Sequence, residues 1–247
     1  MSDIPNTPDI TNQQAIAAWS TAPRELAENF GDEGDFARQH LLNPALFALL
    51  GDVAGKHILD AGCGQGYLCR LLARRGAIVT GVEPAVQWYS YAVEREHQQP
   101  LGITYLQEDL SSLQNMQDRF DCVIANMVFM DIPDYKAAMH NCIAALKSGG
   151  SFIFSLLHPC FEEPASEWVK KGYVEVKEYL QEYTAPQTYA YFFHRPLSAY
   201  INFLIEEGCT LRKMLEPRLS EEIARQDALA ERSLHVPQFV VIHAVHL

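Results

Sequence analysis

Between residues 57 and 157 short apolar runs alternate with helical segments, and this rhythm restricts the possible folds more than any other feature of the chain. Strand-like runs fall at His57–Asp60, Ile78–Glu83, Ile103–Leu106, Phe120–Asn126 and Ser151–Leu157, with helix-like segments between them at Tyr67–Arg75, Val86–His97 and Pro133–Lys147. Short apolar runs divided by helices need cover on both faces, the condition of parallel strands joined by helical crossovers. The pattern predicts an α/β chain with helices on both faces of a mostly parallel sheet.

The flanks differ. Residues 1 to about 10 carry prolines and small polar residues and predict a loose tail. Thr11 and Gln14 have capping-box spacing and open a helix interrupted near Pro23; a second helical piece, Asp35–Leu50, ends at Gly51. Residues 160–196 fit neither rhythm and hold Phe161, Trp168, Tyr173, Tyr179, Tyr183, Tyr189, Tyr191, Phe192 and Phe193. A helix at Ser198–Glu207, closed by Gly208, then leads to two β-like runs, Thr210–Leu215 and Gln238–Leu247, separated by the charged helical stretch Ser220–Arg232.

Composition narrows the function. A formal net charge of −12 argues against a nucleic-acid partner, which needs clustered Lys and Arg to displace counterions. Arg70, Arg74 and Arg75 share one helix and are expected to solvate its outer face. The cysteines (Cys63, Cys69, Cys122, Cys142, Cys160 and Cys209) form no C-x-x-C pair, so neither a metal site nor a disulfide framework is indicated, and reduced thiols in a cytoplasm are the expectation. The polar, acidic start lacks a basic segment followed by an apolar one, and no stretch reaches the length of a membrane span.

The chemistry concentrates in "HILDAGCGQGYLCRLLARR". A buried strand ends in an acid and turns through Gly62, Gly64 and Gly66 into a helix, and glycines there admit positive φ and close approach of a ligand. The next strand ends in Glu83, placed to accept hydrogen bonds from ribose hydroxyls. A dinucleotide fingerprint would put its third glycine at position 67, which is Tyr67. Asp60, just before the turn, would repel a pyrophosphate and suits a ligand with a cationic amine. The loop therefore argues for a nucleoside with an amino-acid tail.

With "ILDAGCGQG", "VTGVEP", "YLQEDL" and "FDCVIANMVF" in order, the chain over about residues 55 to 217 resembles the class I S-adenosylmethionine-dependent methyltransferases. The resemblance implies a Rossmann-like, seven-stranded, mostly parallel sheet with an antiparallel final hairpin. It implies one methyltransferase domain over residues 1–247. Within it, 1–50 would be a helical lid, 51–159 the cofactor-binding core, 160–196 a substrate-side insert and 197–247 the closing helix and strands. It further implies S-adenosylmethionine as cofactor and S-adenosylhomocysteine as product. Gly62, Cys63, Gly64 and Gly66 would line the methionine and ribose portion, and Asp60 would reach the amino group directly or through water. Glu83 would hold the ribose with Pro84 beside the adenine, Asp109 and Leu110 would read the adenine edge, and Asn126 and Met127 would lie under the sulfonium.

Methyl transfer from a sulfonium is an in-line displacement, and a base is needed only when the acceptor must lose a proton. His158 after the fifth strand and His194 at the end of the aromatic segment are candidate catalytic bases, each with the alternative of a packing role. Asp131 and Asp134 in "FMDIPDY" are weaker candidates, Asp134 reading as a helix N-cap. The aromatic segment and the leading helices, with Trp19, Phe30 and Phe36, suit a ring-bearing or lipophilic small-molecule acceptor, methylated on oxygen or nitrogen, with carbon the lesser alternative. Two other readings stay open: a cofactor-binding module or partner subunit without turnover of its own, and a nicotinamide-dependent oxidoreductase.

Overall fold

The computed structural model describes residues 9–162 and 165–247, so the first eight positions of the expected tail lie outside the described residues. The first elements are α1 (Asn12–Trp19), α2 (Arg24–Asn29) and α3 (Asn43–Leu50). The capping box forms as expected: Gln14 N–H donates to Thr11 Oγ1 while Thr11 N–H donates to Gln14 Oε1. Pro23 stands at the N-cap of α2, so the break falls where the missing N–H requires it. The piece expected as one helix from Asp35 instead contains a π-helical turn, Arg38–Leu42, ahead of α3. Pro44 has no N–H to donate, and Asn43 N–H reaches back to the Arg38 carbonyl.

The alternating region follows as β1 (His57–Ala61), α4 (Tyr67–Ala73), β2 (Ile78–Val82), α5 (Val86–Gln98), β3 (Thr104–Leu106), β4 (Phe120–Asn126), α6 (Tyr135–Ala144) and β5 (Leu146–Leu157). β5 begins earlier than expected and α6 stops sooner, because Leu146 already pairs with Phe120 and the Ala145 carbonyl accepts the Phe120 N–H. The remaining elements are α7 (Ala165–Lys171), β6 (Tyr183–Pro186), β7 (Tyr191–His194), α8 (Leu197–Glu206), β8 (Cys209–Leu215), α9 (Glu221–Ala224), α10 (Ala228–Glu231) and β9 (Phe239–His246).

Seven strands form one sheet in the order β3-β2-β1-β4-β5-β9-β8. β1 pairs in parallel with β2 and β4, as β2 does with β3 and β4 with β5; β9 runs antiparallel to both β5 and β8. This is the Rossmann-like sheet with its reversed end that the resemblance implied. Successive residues of the central strands face opposite sides. Leu59, Val123, Phe152 and Phe154 pack into one core with α6 and α8, while Ile58, Ile124 and Ile153 pack into a second with α3 and α4. The aromatic segment, which showed no rhythm, contains the hairpin β6–β7, whose turn is closed by Gln187 N–H on the Ala190 carbonyl at 2.8 Å. No helix of the described residues is long and apolar enough to cross a membrane.

Candidate active site

The order β2-β1-β4 puts the strand reversal at β1, and the crevice outside the carboxyl ends of the strands at such a switch point is where ligands bind in open α/β sheets. A cavity of about 310 Å³ lies there. Its lining includes Gly62, Cys63 and Gly64 of the β1–α4 turn, Glu83 and Pro84 after β2, Asp109 and Leu110 after β3, and Asn126 and Met127 at the end of β4. These nine positions, all singled out in the sequence, therefore meet in one place.

The loop is shaped by what lies around it. Gly62, at φ +72°, leaves no room for a side chain, since a Cβ would stand 2.7 Å from Val128 Cγ2. Gly64, at φ +55°, faces open space, its would-be Cβ meeting only Trp88 at 3.7 Å. A ligand can thus approach the backbone at Gly64, whereas Gly62 is fixed by packing. Gly66 caps α4 against the Tyr105 ring and is not part of the lining.

Glu83 ties the loop to the next strand. Its Oε2 accepts the Gly64 N–H at 2.9 Å and its Oε1 the Ala85 N–H at 2.8 Å, leaving further lone pairs on both oxygens for ligand hydroxyls. Burial pushes its carboxyl up to about 7 despite these two donors. Asp109 accepts the Ser111 N–H at 2.9 Å and also Asn12 Nδ2 at 3.4 Å. Asn12 then takes the Asp134 N–H on its Oδ1 at 3.0 Å, so one side chain at the start of α1 fastens that helix across the site. Ala15, Ile16 and Trp19 of α1 accordingly join the cavity wall.

At the floor, Asn126 donates from Nδ2 to Tyr67 Oη at 2.7 Å and accepts Ser155 Oγ–H on Oδ1 at 2.6 Å. Met127 has φ +65°, an uncommon conformation for a side-chain-bearing residue, and its N–H is held by Ser155 Oγ at 3.0 Å. Strain of this kind, of order 1–3 kcal/mol, tends to gather at functional sites.

Other expected residues lie elsewhere. Asp60 is buried below the loop, where Cys69 Sγ–H donates to its Oδ2 at 3.0 Å, and its carboxyl is not in the cavity lining; burial raises it to about 6. Phe36 is 53% exposed and contributes nothing to the wall. The two histidines also stand outside the lining, and both ring nitrogens of each are hydrogen-bonded elsewhere. His158 accepts the Cys160 N–H on Nδ1 at 3.3 Å, so its Nε2–H points to Glu216 at 2.9 Å. His194 sits between Glu162 at 2.5 Å and the Tyr179 carbonyl at 2.9 Å, stacked on Tyr183. Burial alone would lower its pKa, but these two acceptors together raise it, which favours a clamped imidazolium over a base. The structure thus sets both candidate histidines outside the cavity wall, each beside a carboxylate.

The cavity also contains residues the sequence did not mark. Tyr67 drew notice only as the residue in place of a third glycine, Trp88 reads as an ordinary helix residue, and Arg38 reaches the wall through the π-helical turn. Arg195, beside His194, is buried and donates to the carbonyls of Phe129, Ile132 and Pro133 at 3.0, 2.9 and 2.8 Å, fixing the segment that carries Asp131. Its only sequence signal was its place next to a chosen histidine.

Comparisons with known proteins bear on this geometry. A family model described as a methyltransferase domain matches residues 59–154. Among curated proteins, the chain is 36% identical over 142 residues to a ubiquinone biosynthesis O-methyltransferase of Coxiella burnetii, covering 56% of this chain and 61% of that protein. A protein of the same description from Photorhabdus laumondii is 30% identical over 160 residues, 62% of this chain and 65% of the relative. The chain thus spans less than two thirds of the length of these relatives. Among solved structures, an S-adenosylmethionine-dependent methyltransferase from Mesorhizobium loti superposes with a TM-score of 0.71 at 29% identity, over 82% of this chain and 96% of that one.

Proposed function

We propose that this chain, whose residues 59–154 match a methyltransferase domain and whose fold is that of a solved S-adenosylmethionine-dependent methyltransferase, is a class I enzyme of that kind that binds S-adenosylmethionine in the cavity at the β1 switch point and methylates a small molecule there. The observation that carries this reading is Glu83, whose carboxylate holds the Gly64 N–H and also borders the cavity, so that ribose recognition and loop shape depend on one side chain. Gly62 to Gln65 would hold the methionine and ribose portion, Asp109 and Leu110 the adenine, and Asn126 and Met127 the region below the sulfonium. The cofactor supplies an activated methyl group. The chain's own task is to hold the acceptor in line and to exclude water.

The wall suits a small acceptor. Phe30, Tyr67 and Phe192 contribute rings, and Ile132 and Leu157 aliphatic surface. Transfer to oxygen is favoured by the description of the curated relatives as O-methyltransferases. The test is thermal unfolding with S-adenosylhomocysteine or reduced nicotinamide dinucleotide. At a hundred times its Kd a ligand stabilises by about 2.7 kcal/mol, which for a chain of this size raises the midpoint by roughly 5–10 °C. A rise with S-adenosylhomocysteine alone is expected; a rise with the nicotinamide alone would refute the reading. Methyl transfer to a panel of small acceptors, followed by mass, then separates an enzyme from a cofactor-binding subunit.

A further inference from the structure

We propose that Asp131 is the group that receives the hydroxyl of a phenolic acceptor and takes its proton during methyl transfer. The inference rests on the cofactor reading above and adds the acceptor's chemical class and its base.

Glu83, Asp109 and Asp131 are the carboxyl side chains of the cavity wall. Glu83 is engaged by the N–H groups of Gly64 and Ala85, and Asp109 by Ser111 and Asn12. The Asp131 carboxyl accepts no hydrogen bond within the described residues, so its lone pairs are left for whatever enters the cavity. Its backbone is nonetheless fixed. Asp131 N–H donates to the Val128 carbonyl at 2.9 Å, and Arg195 grips the carbonyls of Phe129, Ile132 and Pro133 on either side. A free carboxyl on a pinned turn is the arrangement a general base requires, reach combined with a set position.

The charged groups facing Asp131 within the cavity are Arg38 and Glu83, with the Tyr67 hydroxyl also in the wall; Arg195 lies behind the turn. Arg38 is already paired through Nη1 with Asp35 at 2.7 Å and lies over the Phe30 ring, so it tempers the field without occupying the carboxyl. Burial is the main influence and pushes Asp131 up to about 8, which suits a base working near neutral pH. The histidines cannot substitute, since both rings are engaged elsewhere. The rings of Phe30, Tyr67 and Phe192 in the same wall favour a planar aromatic acceptor over an aliphatic one.

The step balances. An oxygen lone pair of the phenol forms the new O–C bond, the S–C bond electrons remain on sulfur, and the phenolic proton passes to the Asp131 carboxylate, later to be lost to water. No further reactant is required.

The experiment uses the full chain and three probes: phenol, catechol and 3,4-dihydroxybenzoate. Calorimetry first measures S-adenosylhomocysteine affinity of the wild-type chain and of Asp131→Asn, then probe binding to each with the product bound. Methyl transfer to the probes is followed by mass across pH 6–9. The expected result is unchanged product affinity in the variant, probe binding retained within about threefold, and turnover reduced by about 10²–10⁴. The wild-type rate should rise with pH through a limb near 8 that the variant lacks. A variant that turns over at the wild-type rate or keeps that limb would overturn the proposal, as would wild-type protein that binds S-adenosylhomocysteine yet binds or methylates none of the three phenols. Failure of the wild-type chain to bind S-adenosylhomocysteine would instead overturn the cofactor reading beneath it.

Discussion

An unpartnered carboxyl held in a cavity leaves a signature in stability that needs no substrate. Asp131 moves from an ordinary value of 3.8 to about 8 in the folded chain, chiefly by burial. Between those values the folded state holds a proton that the unfolded state has released, so stability falls as pH rises through the window. At pH 7 about three units of the shift are expressed, and at 1.36 kcal/mol per unit the penalty is about 4 kcal/mol, or about 2–4 once water entering the cavity is allowed for. At pH 4 it is under about 1 kcal/mol. Asp131→Asn removes the titration while keeping the shape. Its midpoint should therefore exceed that of the wild type by an amount that grows from pH 4 to pH 7, reaching about 5–15 °C. The assay is ligand-free thermal unfolding of both proteins at half-unit pH steps. Any loss from the amide itself is the same at every pH, so the slope of the difference carries the result. A difference flat in pH would refute the argument that burial sets this carboxyl.

Other outcomes follow from the same geometry. Glu83→Ala should weaken S-adenosylhomocysteine binding at least tenfold by calorimetry while far-ultraviolet circular dichroism stays unchanged; in the wild type, affinity should rise with pH through about 7 as the carboxyl ionises. Gly64→Val should fold, because its Cβ meets only Trp88, with a midpoint a few degrees lower from about 1–2 kcal/mol of positive-φ strain, and should lose ligand binding. His158→Ala and His194→Ala should lower the unfolding midpoint through their lost carboxylate partners, with turnover per folded molecule within about threefold of wild type. Asn12→Ala should weaken S-adenosylhomocysteine binding severalfold and speed proteolysis near α1, since that side chain fastens the helix to Ser111 and Asp134.

The sheet was legible because its signals are local. A parallel strand buried on both faces must be apolar along its whole length, and β1, β2 and β4 are readable for that reason. The loop and Glu83 were legible because a glycine turn after a strand and an acid at the next strand's end have only a few physical uses. Helix ends were less so. α6 gives up its last turn to a strand pairing between Leu146 and Phe120 that depends on a partner far along the chain. The β6–β7 hairpin carries Tyr, Phe, Thr, Ala and Pro without alternation, so no period marked it. The missed site residues share a cause: Asn12 meets Ser111, and Arg195 meets Phe129, Ile132 and Pro133, across separations no local pattern encodes. The histidines illustrate the converse. Both sit at chemically suggestive places, but only the fold shows that Glu216 and Glu162 already hold them.

The charge around the cavity also bears on which ligand belongs there. Asp60 and Glu83 are both raised by burial, and the charge of Asp60 adds to the rise at Glu83. Each therefore diminishes the stability of the ligand-free fold above its ordinary pKa. Such an arrangement persists at a functional site when a ligand supplies the missing counter-charge. A pyrophosphate would add to the repulsion, whereas a sulfonium and an ammonium would offset it. The acidic surroundings thus point the same way as the loop with Tyr67 in place of a third glycine, toward a cationic amino-acid nucleoside. They do so through electrostatics, independently of the sequence pattern.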